Sequence, residues 1–454
     1  MNDFRTIADT LAADIQAGRL SLGERLPPQR EFASRQGIAV STASRVYAEL
    51  TRRGLVTGEV GRGTYVRSAL GAPPGLALAD PPVAPVDLEL NFPLLPDQGA
   101  ALAEALAGLL RPGTMNEALR PVGAGATAHA RSIAARFLAR GGGGGDSGGW
   151  APEPDGILFT GNGRQAIAAS MAALAPPGER IGVEAMTYPV VKGIAARLGI
   201  TLVPLPLDEE GVRPETLAQI HRTTPLRGIY LQPTLHNPLG ITMGSVRRRE
   251  IAALLDETGL FAIEDAIYGF LAGEQPPPLA ALAPDRVVLV DSFSKRIAPG
   301  LTLGFVASPA VLADRIAAAV RSGAWSASGF PLAAGLRWMV DGTAERMAAA
   351  KREDAAARQS AAHEALTGLA VKGDPRAYHL WLELPDSWRA EAYAAAAASR
   401  HGTAITPASA FAASPGHAPN AVRIALASPP RDVLVAALHA LRRLALAGSD
   451  YQVE

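Results

Sequence analysis

The chain has 454 residues, more than a single hydrophobic core usually organises, so at least two packed units are expected. With 48% apolar and 19% charged residues it can bury a large core, which excludes global disorder. No cysteine occurs, which excludes disulfides, thiolate metal sites and cysteine nucleophiles; with no apolar run of membrane-spanning length and no export signal behind Met1, a cytoplasmic protein without membrane contact is expected.

The formal net charge is zero, yet residues 1–70 hold ten arginines against seven acids, leaving 33 bases and 36 acids of the 43 of each for the remainder. A basic front is compatible with a nucleic-acid partner and equally with a solvated surface. Phe4, Ile7, Leu11 and Ile15 recur at helical spacing, a second helix is predicted from Pro28 to Gln36, and Ala43, Val46, Tyr47 and Leu50 share one face of a third. Leu55-Val56-Thr57 and Thr64-Tyr65-Val66, separated by Gly58, Gly61 and Gly63, predict a hairpin. Three helices and a hairpin suit a winged helix-turn-helix, whose third helix is presented N-terminus first to a DNA groove. Ser41 is placed to cap that helix, with Thr42, Ser44 and Arg45 off its apolar stripe and Arg62 at the hairpin tip. The Pro- and Gly-rich residues 71–86 predict a linker.

Beyond it, apolar runs alternate with helical segments: 157–160, 180–183, 228–231, 260–263, 286–290 and 303–307. Such alternation predicts a largely parallel sheet covered by helices on both faces, spanning 87–454, with a smaller lobe from about 330 that includes strands at 378–382 and 421–425. The tract Gly141 to Gly145 is low-complexity and predicts a surface connection.

Ligands in open parallel sheets gather past the carboxyl ends of strands, and three polar clusters fall there. They are Gln232-Pro-Thr-Leu-His-Asn237-Pro, Glu264-Asp265-Ala-Ile-Tyr268, and Asp291-Ser292-Phe-Ser294-Lys295. A lysine at a buried strand end is costly unless it is paired, titrated or covalently used, and a Schiff base is one such use. Asp265 suits a pyridinium nitrogen, Tyr268 and Asn237 a phenolic oxygen. Ser292 and Ser294, with the loop Gly161-Asn162-Gly163-Arg164-Gln165 opening a helix, suit a phosphate.

Two resemblances follow from these residues. Leu26-Pro-Pro-Gln-Arg-Glu-Phe-Ala, Gly37-Ile-Ala-Val-Ser-Thr-Ala-Ser-Arg-Val-Tyr and Gly61-Arg-Gly-Thr-Tyr-Val resemble the GntR-type winged helix over about residues 4–67. That likeness implies DNA contacts from Arg30, Ser41, Thr42, Ser44, Arg62, Gly63 and Thr64, with Val40 standing where many relatives have arginine. From about Asp87 onward the clusters resemble fold-type I pyridoxal-phosphate enzymes of the class I/II aminotransferase group. This implies pyridoxal 5'-phosphate as cofactor, Lys295 as its covalent partner, Asp265 at the ring nitrogen, Tyr188 stacked on the ring, and Arg423 binding an amino-acid carboxylate.

Such a head on such a body resembles the MocR subfamily of GntR regulators. The likeness implies a homodimer with swapped heads, an operator in double-stranded DNA, and a small amine or amino-acid effector that shifts head geometry. Two positions depart from the pattern: Thr302 replaces a phosphate-binding arginine, and Arg120 replaces a tyrosine that reaches a neighbouring subunit. Arg120, Arg164 and Arg296 are candidates to supply the missing charge. The rivals are a working aminotransferase with a non-essential head, and a DNA-binding scaffold that has lost the cofactor.

Overall fold

The computed structural model describes residues 4–16, 19–20, 24–52, 55–59, 63–66, 84–140, 150–273, 276–414 and 418–448. Arg62, the Gly141 to Gly145 tract and all but the last residues of the expected linker lie outside them.

The N-terminal unit consists of α1 (Phe4–Gln16), β1 (Arg25–Leu26), α2 (Gln29–Gln36), α3 (Val40–Arg52), β2 (Val56–Glu59) and β3 (Gly63–Val66). Ile7, Ala8, Phe32, Ala43, Val46, Tyr47 and Leu50 close its core, so the helical stripes read from the sequence are the buried ones. The wing has three strands, in the order β1-β3-β2, because the two-residue β1 adds to the hairpin edge, with Arg25 opposite Tyr65. A two-residue strand carries no period-2 signal, which is why the sequence predicts only the hairpin. The expected cap at Ser41 is also corrected. Helix α3 begins at Val40, and the Ala39 carbonyl accepts the first helical bond from the Ala43 amide at 3.0 Å, so Ser41 lies in the first turn.

The large sheet has seven strands, in the order Ile157–Thr160, Gly304–Ala307, Val287–Ser292, Phe261–Asp265, Gly228–Leu231, Arg180–Glu184 and Thr201–Leu205. Gly304–Ala307 runs antiparallel to both neighbours and the remaining pairings are parallel. Strand residues alternate between two cores. Ile157, Phe159, Leu231, Val287, Leu289 and Phe305 pack on one face, and Leu158, Tyr230, Ile263, Val288, Val290 and Val306 on the other. Burial on both faces is why these strands read as nearly unbroken apolar runs. The edge strand Thr201–Leu205, partly exposed and interrupted by Pro204, escapes that reading.

The smaller lobe is a four-stranded sheet in the order Ala370–Lys372, His379–Glu383, Ala421–Ala425 and Thr406–Pro407, joined to the large sheet's side by the 23-residue helix Thr343–Ala365. It also takes in the segment that follows the expected linker. Val86–Asp87 pairs in parallel with Thr403–Ala404, and Leu88 is wholly buried in the lobe's core.

Gly304 links sheet to site: a Cβ there would lie 2.3 Å from Thr160 Oγ1 and 2.5 Å from the Asn162 carbonyl oxygen. Gly304→Ala should therefore displace the turn that opens helix Gly163–Leu174, at a cost of about 1–3 kcal/mol, read as a lower melting temperature. An unchanged melting temperature would show that the turn yields freely.

Candidate functional site

Strand Val287–Ser292 is buried at every position and runs into the one-turn helix Phe293–Arg296, which carries Lys295. The Ser292 hydroxyl caps that turn by accepting the Ser294 amide at 3.3 Å. The half-buried Lys295 side chain donates from Nζ to the Asn91 carbonyl at 2.5 Å and lies 4.1 Å from the Phe92 ring centroid. Burial, and then the charges of Arg164, Arg423 and Lys351, lower its pKa to about 7. The amine is thus poised to lose its proton near neutrality and act as a nucleophile.

Asp265 ends the neighbouring strand and is 4% exposed. Its Oδ2 accepts from Tyr230 Oη at 2.6 Å and Gln232 Nε2 at 2.9 Å, and its Oδ1 from the Ile267 amide at 3.1 Å. Burial raises its pKa to about 6, against the pull of these hydrogen bonds. A buried carboxyl near its titration point gains from a cationic partner, which would restore the charged form.

Tyr268 is buried with its ring 5.5 Å from that of His379, and burial pushes its hydroxyl up to about 12, so it remains a hydrogen-bond donor at neutral pH. Asn237 Oδ1 and both amide atoms of Asn91 are buried without a well-formed hydrogen bond. The Asn237 amide donates to Gln232 Oε1 at 3.2 Å, which ties it to the Asp265 group.

A third group collects hydroxyls at a helix start. Asn162 caps helix Gly163–Leu174 by accepting the Gln165 amide at 3.0 Å. A Cβ on Gly163 would approach Ser292 Oγ to 3.1 Å, so the helix opens directly over the lysine turn. Ser292 Oγ donates to Ser294 Oγ at 3.1 Å, and Ser294 Oγ lies 2.6 Å from Thr302 Oγ1. Thr302 therefore extends a row of neutral hydroxyls where an arginine was expected. Arg164 hydrogen-bonds Tyr188, whose hydroxyl burial pushes up, and its charge reaches Lys295.

The structure does not bring all three arginine candidates here. Arg296 is a correction: its guanidinium is 1% exposed, bonds to Asp291 Oδ2 at 3.0 Å, and lies among the rings of Phe137, Phe270 and Phe293. Arg120 is exposed beyond the helix Pro112–Ala118.

Arg423 reaches the site from the small lobe and is 6% exposed. One η nitrogen donates to the Glu89 carbonyl and, at 3.0 Å, to Thr406 Oγ1, while Nε has no protein partner. Asn91, Phe92, Glu89, Tyr230 and Gln232 thus join the site without having been assigned a role from sequence. Tyr230, a hydroxyl inside an otherwise aliphatic strand, carried a usable signal; Glu89 to Phe92, in an irregular stretch, carried none.

In the head, Arg30, Ser41 and Ser44 are exposed, and Thr42 and Thr64 are half-buried. Arg45, expected to be free for DNA, lies 4.2 Å over the Phe4 ring and braces α1 against α3. Gly63 has φ of +128°, and a Cβ there would meet the Arg25 guanidinium at 2.7 Å.

Residues 91–441 match the model of aminotransferase class I and II, and residues 4–66 that of bacterial regulatory proteins, gntR family. The chain belongs to the gntR-family regulators that carry a class I and II aminotransferase body. This regulator is 32% identical to the HTH-type transcriptional regulator YdeF of Bacillus subtilis (strain 168), over 97% of this chain and 94% of that one. It is 26% identical to the HTH-type pyridoxine biosynthesis transcriptional regulator PdxR of Corynebacterium glutamicum, over 65% and 63%. Its fold is that of an archaeal alanine:glyoxylate aminotransferase (TM-score 0.72, 20% identity, 80% of this chain and 91% of that one). It is also that of LysN, the α-aminoadipate aminotransferase of Thermus thermophilus (TM-score 0.70, 22% identity, 80% and 92%).

The lowered pKa of Lys295 gives a direct expectation. Its modification by a small aldehyde with reductive trapping, followed by peptide mass spectrometry, should rise through about pH 7. A yield at Lys295 that stays flat through about pH 7 and rises only well above it would contradict the assignment.

Proposed function

We propose that this regulator is a cytoplasmic homodimer of the MocR type, with exchanged heads, whose signal is pyridoxal phosphate or a small amine or amino acid that reacts with it. The buried groups fit the cofactor. Among the described residues, Asn237 Oδ1 and Arg423 Nε are buried without a hydrogen-bond partner, a cost that a polar ligand relieves. Asp265 would hold the ring-nitrogen proton, Tyr268 and Asn237 the phenolic oxygen, and Tyr188 the ring face. The Gly163 to Gln165 helix start would hold the phosphate together with the hydroxyls of Ser292, Ser294 and Thr302. Bound there, pyridoxal phosphate supplies an electrophilic aldehyde with which amines condense.

Arg164 is the cation we assign to the phosphate, since it already neighbours Lys295 and Tyr188, and Arg120 is left to a partner subunit. Arg164→Ala should then weaken cofactor affinity roughly tenfold or more, as loss of a charge-assisted contact does. Equal affinities of Arg164→Ala and wild type by spectroscopic titration would reverse that assignment.

The observation that carries the regulatory reading is the course of residues 86–92, the first described segment beyond the tether to the head. Lys295 donates to the Asn91 carbonyl, Arg423 to the Glu89 carbonyl and Ser428 to the Leu90 carbonyl. The same segment pairs with Thr403–Ala404. A lysine engaged by the cofactor gives up its hydrogen bond to Asn91, and an arginine engaged by a carboxylate loosens its hold on Glu89. Both ligands thereby act on the segment to which the head is tethered, which supplies the differential contact that allostery requires. The name of PdxR, which refers to pyridoxine biosynthesis, supports the cofactor as a signal. Lys295, Asp265 and Arg423 together also leave room for residual transamination.

The deciding experiment pairs absorption spectra with DNA binding to the region upstream of the protein's own gene, for wild type and Lys295→Ala. We expect a visible band of lysine-bound pyridoxal phosphate in wild type and not in the variant, with DNA binding that responds to cofactor only in wild type. A band without DNA binding would make transamination the leading function, and no band would remove the cofactor.

A further inference from the structure

Only four of the 43 basic residues are lysines, at positions 192, 295, 351 and 372. Lys372 is exposed and pairs with Glu383, whereas Lys351 is 0% exposed in the middle of helix Thr343–Ala365. No ion pair of Lys351 occurs among the described residues. The nearby acid, Asp354, is already bound by Arg358 at 2.7 Å. Burying an ammonium in this way is expensive, and an apolar side chain of the same length would pack there at less cost.

What Lys351 does with its hydrogens is specific. Nζ donates to the Lys295 carbonyl at 2.9 Å and the Ile297 carbonyl at 2.7 Å, and Gln98 Nε2 adds a second donor to Ile297 at 2.8 Å. The turn that carries Lys295 is too short to satisfy these carbonyls itself. Its helix is one turn long, and the chain leaves it through Ala298-Pro299, where proline has no N–H to give. Lys351 thus caps the lysine turn from a different element.

We propose that Lys351 is a positioning residue for Lys295: anchored in the long helix, its ammonium holds the backbone of the Lys295 turn and thereby aims the reactive amine, while its charge adds to the cationic field around it. The same helix is fixed to the small lobe. Tyr378 Oη donates to the Lys351 carbonyl at 2.9 Å, and Gln359 Nε2 donates to the carbonyls of Ala377 and His379. Those residues lead into the strand that pairs with Arg423, through Trp381. Displacement of the small lobe would accordingly be felt at the Lys295 backbone. The inference rests on the cofactor reading above.

The test uses full-length Lys351→Met and Lys351→Gln loaded with pyridoxal phosphate. The readouts are the pH midpoint of the visible band, cofactor affinity by absorbance titration, and the melting temperature. Besides Lys351, the cations acting on the Lys295 amine are Arg164 and Arg423, and both variants keep them. Burial, and then the charge of Arg296, lower the Lys351 pKa to about 7, so its charge acts below that pH. Removing it there favours the protonated linkage, so the midpoint should move upward by roughly half a pH unit or more, and affinity should fall several-fold. Lys351→Arg, which restores charge and donors, should bring the midpoint back toward wild type. Where Lys351→Met does not fold, Lys351→Gln, which keeps a side-chain donor, gives the same reading. A lower melting temperature with unchanged midpoint and affinity would reduce Lys351 to a structural cap and overturn the proposal. A wild type with no visible band would instead refute the cofactor reading and this inference with it.

Discussion

The cationic, desolvated environment of Lys295 is the constraint around which the rest of the site is arranged. Arg164, Arg423 and Lys351 all disfavour its ammonium, and the oxygen that receives its hydrogen bond is the neutral carbonyl of Asn91. Such an arrangement makes a poor resting place for a structural lysine and a good one for a nucleophile. The acids near the site are each otherwise engaged. Asp291 is paired with Arg296 beneath three aromatic rings, and Asp265 accepts from Tyr230 and Gln232. On the proposed reading, the cationic excess at one end would suit an anionic phosphate, and the buried Asp265 carboxylate at the other would gain from a protonated ring nitrogen.

The same geometry explains how a fold shared with aminotransferases can serve a regulator. In an enzyme, small-lobe contacts need only position substrate; here residues 86–92 are held at once by the small lobe, Lys295 and Arg423. Taking a head population from 1:99 to 99:1 requires a ligand preference of about 5.5 kcal/mol between two states. On the proposed reading the coupling needs no long pathway, because residues 86–92 themselves accept hydrogen bonds from Lys295 and Arg423.

Much of this was legible in the sequence, and the pattern of success has a physical cause. Asp265, Tyr268, Asn237 and Lys295 stand directly past buried strands, where apolar runs give way abruptly to polar residues, and the structure gathers them as that position implies. Helix stripes in the head were equally readable, because Val46 and Leu50 are buried by a period that the sequence displays. The misses have no period. Val40 starts α3 through backbone bonding, with no capping side chain to announce it. Arg296 looked available because its partner Asp291 served in the same motif. Asn91 and Lys351 lie 204 and 56 residues from Lys295, and only the folded chain brings them to it.

Thr302 bears on the choice between regulator and enzyme. An enzyme that must hold its cofactor through every turnover gains from a permanent cation at the phosphate, whereas a sensor of the cofactor must let it leave as its concentration falls. The row Ser292, Ser294 and Thr302 offers hydroxyls where a guanidinium would bind a dianion with paired, charge-assisted bonds. Neutral donors still fix the orientation of a phosphate, at less free energy per contact. On the proposed reading, Arg164 then carries the charge that Thr302 lacks, and the hydroxyl row would orient the phosphate. A phosphate held in that way would leave more readily than one that also met a guanidinium at position 302, which would suit an output set by occupancy.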